Sequence, residues 1–500
     1  MKLIEKIRKS RPFLVPKKPD PWVINDMEKA AEKILSHTGK ITVFGDYDCD
    51  GICAAVIMEE ILHRLGKNVS VYLPTRDEGY GINAGQVKSI ARQGTNMIIT
   101  VDNGTTANEA ASAAKKLGIE FIVTDHHEPV GIPAAEIIVN PKLSKNDGFR
   151  EYSGAGVAYL LASALTEMLG EPEPADLLDL ASLATVVDVC PIREENFYLA
   201  RNGLLKMREK PRTGIEAVLD VKGYSSSPGG YALGWIVGPM VNVCGRMGDP
   251  SMSYEIIKTS DPQKAAELAE KINRLNNERQ EAVNRAVEEC LERYKGETFP
   301  FFVGNWPHGI VGIAAGRIAE AINRPVLVGQ AGRIIKASGR TARSNTRFSI
   351  FEAISKCQQR TGLLHRFGGH RDACGLSLKA ENLESFRSEL EKIADSMLSA
   401  EDIIPVIEVD GVLTRAPAVE EIEELDELEP FGNENPQPVF MVEGNLHKKR
   451  NGDTWILYEI AGIEFFANTP LPEGFSRIPM ELYINEFNGT KKPMGRPRFG

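Results

Sequence analysis

ITVFGDYDCDG, residues 41–51, runs from a short apolar β-type stretch into three alternating aspartates, Asp46, Asp48 and Asp50, and a closing glycine. The same grammar recurs twice. MIITVDNG (97–104) delivers Asp102, and FIVTDHH (121–127) delivers Asp125, His126 and His127. VSVYL (69–73) and EIIVN (136–140) complete a set of strand candidates, with the helical stretches GICAAVIMEEILHRLG and ANEAASAAKKLG between them. This β-α alternation predicts an α/β fold built on a doubly wound parallel sheet. Ligands of such sheets bind at the carboxyl ends of strands. Three strand ends therefore bring carboxylates and imidazoles to one place, and Asp188 in the apolar run LASLATVVDVCPI is expected to join them. So many like charges need cations, and a pair of divalent metals is the simplest answer.

Each element has a plainer reading. The aspartates of GDYDCDG also suit a turn with helix N-capping. Asp102 before Asn-Gly suits an Asx-turn, and Asp188 suits a helix end. If the backbone stays extended, a period of two points Asp46, Asp48 and Asp50 to one side. Oxygen-rich ligation favours Mg or Mn, and added imidazole shifts the balance toward Mn. Adjacent histidines on an extended backbone diverge, so His126 and His127 are expected to do different work: one on metal, one on a phosphate or a neighbour. Two metals suit hydrolysis of a phosphodiester. No Walker-type loop and no Gly-x-Ser-x-Gly elbow is present, so neither nucleotide-triphosphate use nor a serine hydrolase is indicated.

Composition sets the frame. With 42% hydrophobic and 26% charged residues, the chain is ordinary for a soluble protein. No apolar run is long enough to span a bilayer, and no signal peptide is expected from MKLIEKIRKSRPF. Seven scattered cysteines suit a reducing cytoplasm. Cys49 and Cys53 lack a second pair and read as buried small residues. Net charge is −10, yet residues 331–372 carry nine Lys/Arg against two acids, and 401–430 carry eleven acids and one base. Both termini are basic. A polyanion can bind such patches, or they are solvated faces and disordered ends.

The expected order is an N-terminal extension (1–35), a catalytic α/β domain (36–255), a connecting helix (256–296), a smaller α/β domain (297–400), a β-barrel resembling an OB-fold (401–490) and a basic tail (491–500). Asp261-Pro262 starts the long helix as N-cap and first helical residue. FFVGN, a helix over 310–322 and PVLVG form a β-α-β unit. Two glycine-rich stretches follow, ASGRT (337–341) and FGGHRDACG (367–375). They combine close backbone approach with Arg and His donors for phosphate, or are structural turns. His308 reads as a turn residue. Near 405 the pattern alternates in short strands, with a turn at Asn451-Gly452.

GDYDCDG, TVDNG, TDHHEP and TVVDV, in this order, resemble the motifs of the DHH phosphoesterase superfamily. FGGHRDACG resembles the GGH motif of its DHH-associated domain. PTRDEGYG, VGPMVNVCGRMG, RLNNERQ, WPHGIVGIAAGRIAE, ASGRT and LEPFGNENPQPVF look like RecJ-type single-strand exonucleases, over about residues 35 to 490. The resemblance implies a DHH domain, a DHH-associated domain and an OB-fold. It implies processive 5′→3′ degradation of single-stranded DNA with two Mn or Mg ions. Asp46, Asp48, Asp50, Asp102, His126 and Asp188 would hold metal, His127 would contact the scissile phosphate, and Asp125 would orient the cluster. Asp48, Asp102, Asp125, His126, His127 and Asp188 are thus the implied catalytic set. Arg76, Asn242, Arg246, Ser338 and Arg340 would bind the strand, with Gly368, Gly369 and His370 lining the associated-domain side. DNA would thread between the lobes. Met240 stands where the family commonly has Arg, which removes one expected contact. The length also suits an archaeal RecJ-like protein, with RNA as a further substrate. Implied partners are single-strand-binding protein, a helicase or GINS. Two other functions compete: a phosphodiesterase for oligonucleotides or cyclic dinucleotides, and a replication scaffold, although every ligand position is intact.

Overall fold

The computed structural model describes residues 2–498 except 130, 132–133, 146, 225–226, 343–346, 400–405, 453, 473 and 488. The chain divides into two compact units, Met1–Arg274 with Val409–Phe499, and Leu275–Glu408. Among the described residues no helix is long and apolar enough to cross a membrane.

The first unit holds a parallel sheet of β1 (Lys40–Phe44), β2 (Asn68–Tyr72), β3 (Thr95–Val101), β4 (Glu120–Thr124) and β5 (Ile137–Val139), in the order β2-β1-β3-β4-β5. Ile41, Val43, Phe44 and Met97–Ile99 are fully buried, as expected where helices cover both faces. On one face Phe44 and Ile98 meet helices Ala84–Arg92 and Asn108–Leu117. Helices Cys49–Arg64 and Gly154–Met168 pack together on the sheet as well. The chain steps outward from β1 to β2 and then back across to β3. The switch point therefore lies between β1 and β3, where this class of fold opens a crevice.

The remaining strands of this unit are β11 (Gly411–Leu413), β12 (Val439–Glu443), β13 (His447–Asn451), β14 (Ile456–Ile460), β15 (Ile463–Ala467), β16 (Arg477–Phe487) and β17 (Thr490–Pro497), counted after the five strands of the second unit given below. They form one sheet ordered β11-β12-β16-β17-β15-β14-β13. Among the described residues no pairing joins β11 to β13, so the barrel expected here is an open, curled sheet. The tail expected over 491–500 is largely strand. β17 pairs with β16 along its length, and Met494 buries its side chain while Lys491, Lys492 and Arg496 stay exposed.

The basic N-terminus is not a loose end. Helix Leu3–Ser10 buries Leu3, Ile4 and Ile7. Lys2 pairs with Glu424, Arg8 with Glu427, and Arg11, itself buried, with Asp410 at 2.9 Å. The basic start is thus paired within the chain to acids of the 410–427 segment.

The second unit carries β6 (Phe301–Gly304), β7 (Val326–Gln330), β8 (Ile334–Arg340), β9 (Leu364–His370) and β10 (Ala373–Lys379), in the order β6-β7-β8-β10-β9. ASGRT lies almost wholly in β8 rather than in a turn, and FGGHRDACG is a hairpin, with Phe367–His370 ending β9, a turn at Arg371-Asp372 and Ala373–Gly375 opening β10, to which both β8 and β9 pair. Ser338 and Gly368 oppose Gly375, and Arg340 and His370 oppose Ala373. Helix Pro262–Arg293 is continuous, as the Asp261 cap predicts; Asp261 Oδ1 accepts from the Gln263 amide at 2.9 Å.

Candidate metal centre

Three of the acidic segments leave the sheet at its carboxyl edge, as expected. Asp46 follows β1, Asp102 follows β3, and Asp125-His126-His127 follows β4. Asp188 differs: it caps the C-terminus of helix Leu178–Val187 rather than ending a strand.

The backbone of GDYDCDG does not stay extended. Asp48 is the N-cap of helix Cys49–Arg64, its Oδ1 accepting from the Gly51 amide at 3.1 Å. Asp50 lies in the first turn and is buried. Its two oxygens accept from the amides of Gly154 and Ala155, both at 2.7 Å, at the N-terminus of helix Gly154–Met168. That helix end supplies partial positive charge to a buried carboxylate among other acids. Asp102 has φ of 61°, a left-handed conformation that costs energy in a non-glycine residue and clusters at functional sites. A Cβ on Gly154 would stand 2.4 Å from the Asp102 Cβ, so the close approach of helix and strand end requires glycine there.

His126 sits among these acids. Its Nε2 is 3.1 Å from Asp102 Oδ1, 3.7 Å from Asp50 Oδ2 and 3.8 Å from Asp188 Oδ2. The histidine side chains do not diverge as expected: the rings meet edge-on, with centroids 4.4 Å apart. What separates them is Asp125, whose Oδ1 is 2.8 Å from His127 Nδ1. Burial resists charge on His127, but Asp125 outweighs it and the pKa is raised. His126 falls to about 4, through burial and then the His127 charge.

Burial and the Asp48 charge push Asp46 up to about 8 and Asp50 to about 7. Burial and the charges of Asp50 and Asp48 push Asp102 well above the carboxylate range. Asp46 Oδ1 is buried with no hydrogen-bond partner, and Asp102 Oδ1, although His126 Nε2 stands 3.1 Å away, receives no aligned hydrogen bond. Orphaned acceptors of this kind cost roughly 1–3 kcal/mol each. Ligand atoms of Asp46, Asp48 and Asp102 lie within 4.8 Å of one another, as do those of Asp102, His126 and His127, and of His126, Asp188 and Cys190. Overlapping groups of carboxylate and imidazole donors fit two divalent cations, with oxygen-rich ligation suited to Mn or Mg.

The centre opens into a cavity of about 220 Å³ that also receives Arg76, Asn242 and Arg246. Arg76 lies over the Tyr47 ring at 4.7 Å and donates to the Gly245 carbonyl. Asn242 Oδ1 accepts from the Cys49 amide at 2.9 Å and so steadies the aspartate loop. Met240, in place of an expected Arg, is fully buried. Asp50 and Asp125 stand behind the cavity wall. Three site residues were not singled out from sequence: Tyr47, Cys190 and Tyr80. The Tyr80 hydroxyl is 3.0 Å from His127 Nδ1 and 3.4 Å from the Asp102 carbonyl. The signals were present, since Tyr47 lies within GDYDCDG and Tyr80 within PTRDEGYG.

The second unit holds the other predicted substrate residues. Alternation along β8 and β9, in the observed register, sets Ser338, Arg340, Gly368 and His370 on one face of the sheet. Gly369 has φ of 144°, and a Cβ there would meet the Ala373 carbonyl at 2.3 Å. Arg340 lies beside Gly312 of helix His308–Ile322.

The model of the DHH family N-terminal domain matches residues 40–185, and that of the DHHA1 domain matches residues 298–396. The chain is 36% identical to the single-stranded-DNA-specific exonuclease RecJ of Bacillus subtilis over 95% of its own length, spanning 63% of that protein. It is 32% identical to the RecJ exonuclease of Dickeya dadantii, over 94% of this chain and 88% of that one. The crystal structure of Thermus thermophilus RecJ in complex with Mn2+ superposes with a TM-score of 0.82 at 27% identity, over 95% of this chain and 71% of that chain.

Proposed function

The chain belongs to the RecJ family, and from that premise we propose that it is a metal-dependent nuclease that degrades single-stranded DNA from the 5′ end to mononucleotides. The observation that carries this reading is the convergence of Asp46, Asp48, Asp102, His126 and Asp188 on one cavity, with two buried carboxylate oxygens left without an aligned hydrogen bond.

Asp46, Asp48, Asp102, His126 and Asp188 would hold two ions, Mn2+ or Mg2+. Asp50, bonded to two helix amides, braces the group and adds negative charge. When bound, the ions supply an activated water and neutralise charge on the leaving oxygen. The remaining work belongs to side chains. Asp125 occupies Nδ1 of His127, which leaves Nε2, 3.2 Å from the Tyr80 hydroxyl, as the nitrogen to meet a scissile phosphate. Asp125 raises the His127 pKa against burial, which favours a protonated ring as donor to a non-bridging oxygen. Arg76 and Arg246 bind flanking phosphates from within the cavity. Ser338 and Arg340 contribute further phosphate contacts, with His370 on the same sheet face.

The C-terminal sheet is read as an OB-fold-like platform for the incoming strand. Support comes from β13, where His447, Lys448, Lys449 and Arg450 are all exposed, and from Phe466, exposed beside Trp455. Charge along the backbone and aromatic faces for bases are the usual means of holding single strands.

The test uses Mn2+ and single strands labelled at either end, as DNA and as RNA. Immediate release of 5′-labelled mononucleotide is expected. No digestion by the wild type, or undiminished digestion by Asp102→Ala, overturns the reading. Faster turnover of dinucleotides than of long strands assigns a small-substrate phosphodiesterase instead.

A further inference from the structure

The loop that carries Asp188 is held by a distant part of the chain. Asp188 ends its helix, and Val189 follows with φ of 58°. A β-branched residue rarely adopts this conformation. The Val189 side chain is 64% exposed, and the turn is closed locally by the Cys190 amide on the Thr185 carbonyl at 3.1 Å and the Val189 amide on the Val186 carbonyl at 3.3 Å, a cap that usually takes glycine at this position. Its carbonyl accepts from Asn433 Nδ2 at 2.9 Å. Further along the loop, the Ile192 amide donates to the Asn433 carbonyl at 2.8 Å. Asn433 thus grips the loop at two points, through side chain and backbone.

The grip is itself anchored. Gly432 and Asn435 form a β-bridge around Asn433. Asn435 is fully buried, donates to the carbonyls of Leu428 and Pro430, and accepts from Arg11 at 2.9 Å. Glu434 pairs with Arg193 at 2.8 Å, one residue beyond Ile192. Residues behind a metal donor that fix its direction matter to affinity nearly as much as the donor itself.

We propose that Asn433 is a positioning residue for the Asp188 carboxylate. By holding the Val189 carbonyl it ties the capping turn, whose own bonds close it locally, to a fixed point outside the helix, and so sets where Asp188 meets His126. The inference rests on the reading of Asp188 as a metal donor. It makes the segment leading into the C-terminal sheet part of the metal centre as well as a support for substrate.

The experiment measures Mn2+ binding to the full chain by isothermal titration calorimetry, with thermal melts to establish folding. Asn433→Ala is expected to weaken Mn2+ binding about tenfold. It should lower kcat with KM for single strands unchanged, and raised Mn2+ should restore the rate. Asn433→Ser, which keeps a shorter donor, should lose less. Glu434→Ala removes the neighbouring ion pair but leaves the Val189 bond, and should bind Mn2+ within about twofold of wild type, well short of the loss expected when a group that orients a donor is removed. Equal weakening in Glu434→Ala and Asn433→Ala overturns the proposal, as does wild-type affinity in both Asn433 variants. Failure of both Asn433 variants to fold, with Glu434→Ala intact, assigns a purely structural role and also overturns it. Weakened Mn2+ binding by Asn433→Ala, in a protein whose wild type binds Mn2+ without degrading strands, supports the positioning role and defeats the nuclease reading alone.

Discussion

Asp125 Oδ1 stands 2.8 Å from His127 Nδ1, and the same carboxylate accepts the amides of His126, His127 and Thr105. Burial opposes its charge, but the His127 and Thr105 bonds prevail and hold its pKa at about 2. A depressed carboxylate stabilises the fold above its ordinary value of 3.8 and loses that contribution as pH falls through about 2. The raised imidazole of His127 acts oppositely: its contribution is complete below 6.5 and is lost as pH rises through the folded value. The pair therefore stabilises the metal-free protein most between about pH 4 and 6.5. Asp125→Asn should cost about 2 kcal/mol at pH 5 and clearly less at pH 2. Urea unfolding at the two pH values measures this, and an equal cost at both refutes it.

Asp102 illustrates stability given up for function. Its Oδ1 is buried without an aligned hydrogen bond, its pKa is driven up, and its backbone is left-handed. Asparagine removes the charge and tolerates that backbone better than most residues. Asp102→Asn is expected to stabilise the metal-free protein at pH 8 by about 1–3 kcal/mol. The same variant should lose strand cleavage and the rise in melting temperature that Mn2+ gives the wild type. A metal-free variant less stable than wild type would contradict the argument.

Gly154 and Gly156 sit two residues apart in one helix and should respond differently to alanine. At Gly154 the new Cβ would meet Asp102 at 2.4 Å, whereas at Gly156 it meets the Tyr152 Cβ at 3.3 Å. Overpacking of the first kind costs about 1–3 kcal/mol. It would also shift the Gly154 amide away from Asp50 and weaken Mn2+ binding. Gly156→Ala should be near neutral, since alanine's helix propensity offsets about 1 kcal/mol of the tighter contact. Denaturant titration and calorimetry on both variants decide the point; equal losses would refute it.

The strands that deliver Asp46, Asp102 and Asp125 were legible because a sheet covered on both faces leaves continuous apolar runs, and Ile41–Phe44 and Met97–Val101 are such runs. β13 left no such trace, since His447–Asn451 is exposed throughout and has no buried face to write a period of two. Ser338–Arg340 and Gly368–His370 looked like turns because glycine is depleted in strands. At Gly369 it is retained for close approach to the Ala373 carbonyl. Asp188 was placed near the metals from its motif, but an apolar run before it does not distinguish a strand from a buried helix. The contact between His126 and His127 lay beyond sequence, because it depends on Asp125 drawing one ring back across the strand end. The basic N-terminus suggested an external polyanion or a disordered end, and the acidic 401–430 stretch a solvated face. Their pairing with each other, as in Arg11 with Asp410, is a tertiary fact that composition does not encode.

Arg340 offers a test of substrate contact independent of cleavage. Its Nη1 donates to the Gly339 carbonyl, burial holds its pKa down, and no carboxylate pairs with it among the described residues. A desolvated guanidinium without a carboxylate favours an anion. Binding is measured by fluorescence anisotropy with the Asp102→Asn protein, which keeps the strand intact. Each phosphate neutralised contributes about 0.7 to the slope of log K against log salt for single strands. Arg340→Ala is expected to reduce the slope by about that amount and weaken binding near tenfold at low salt, with little sequence dependence. Arg340→Lys keeps the charge and should keep the slope, yet bind less tightly because it cannot grip a phosphate with two parallel bonds. Lys356→Ala removes a charge already paired with Glu352 at 2.7 Å on an exposed helix face, and should leave the slope unchanged. A slope equally insensitive to Arg340→Ala would remove Arg340 from the phosphate contacts and leave Ser338 and His370 to account for the patch.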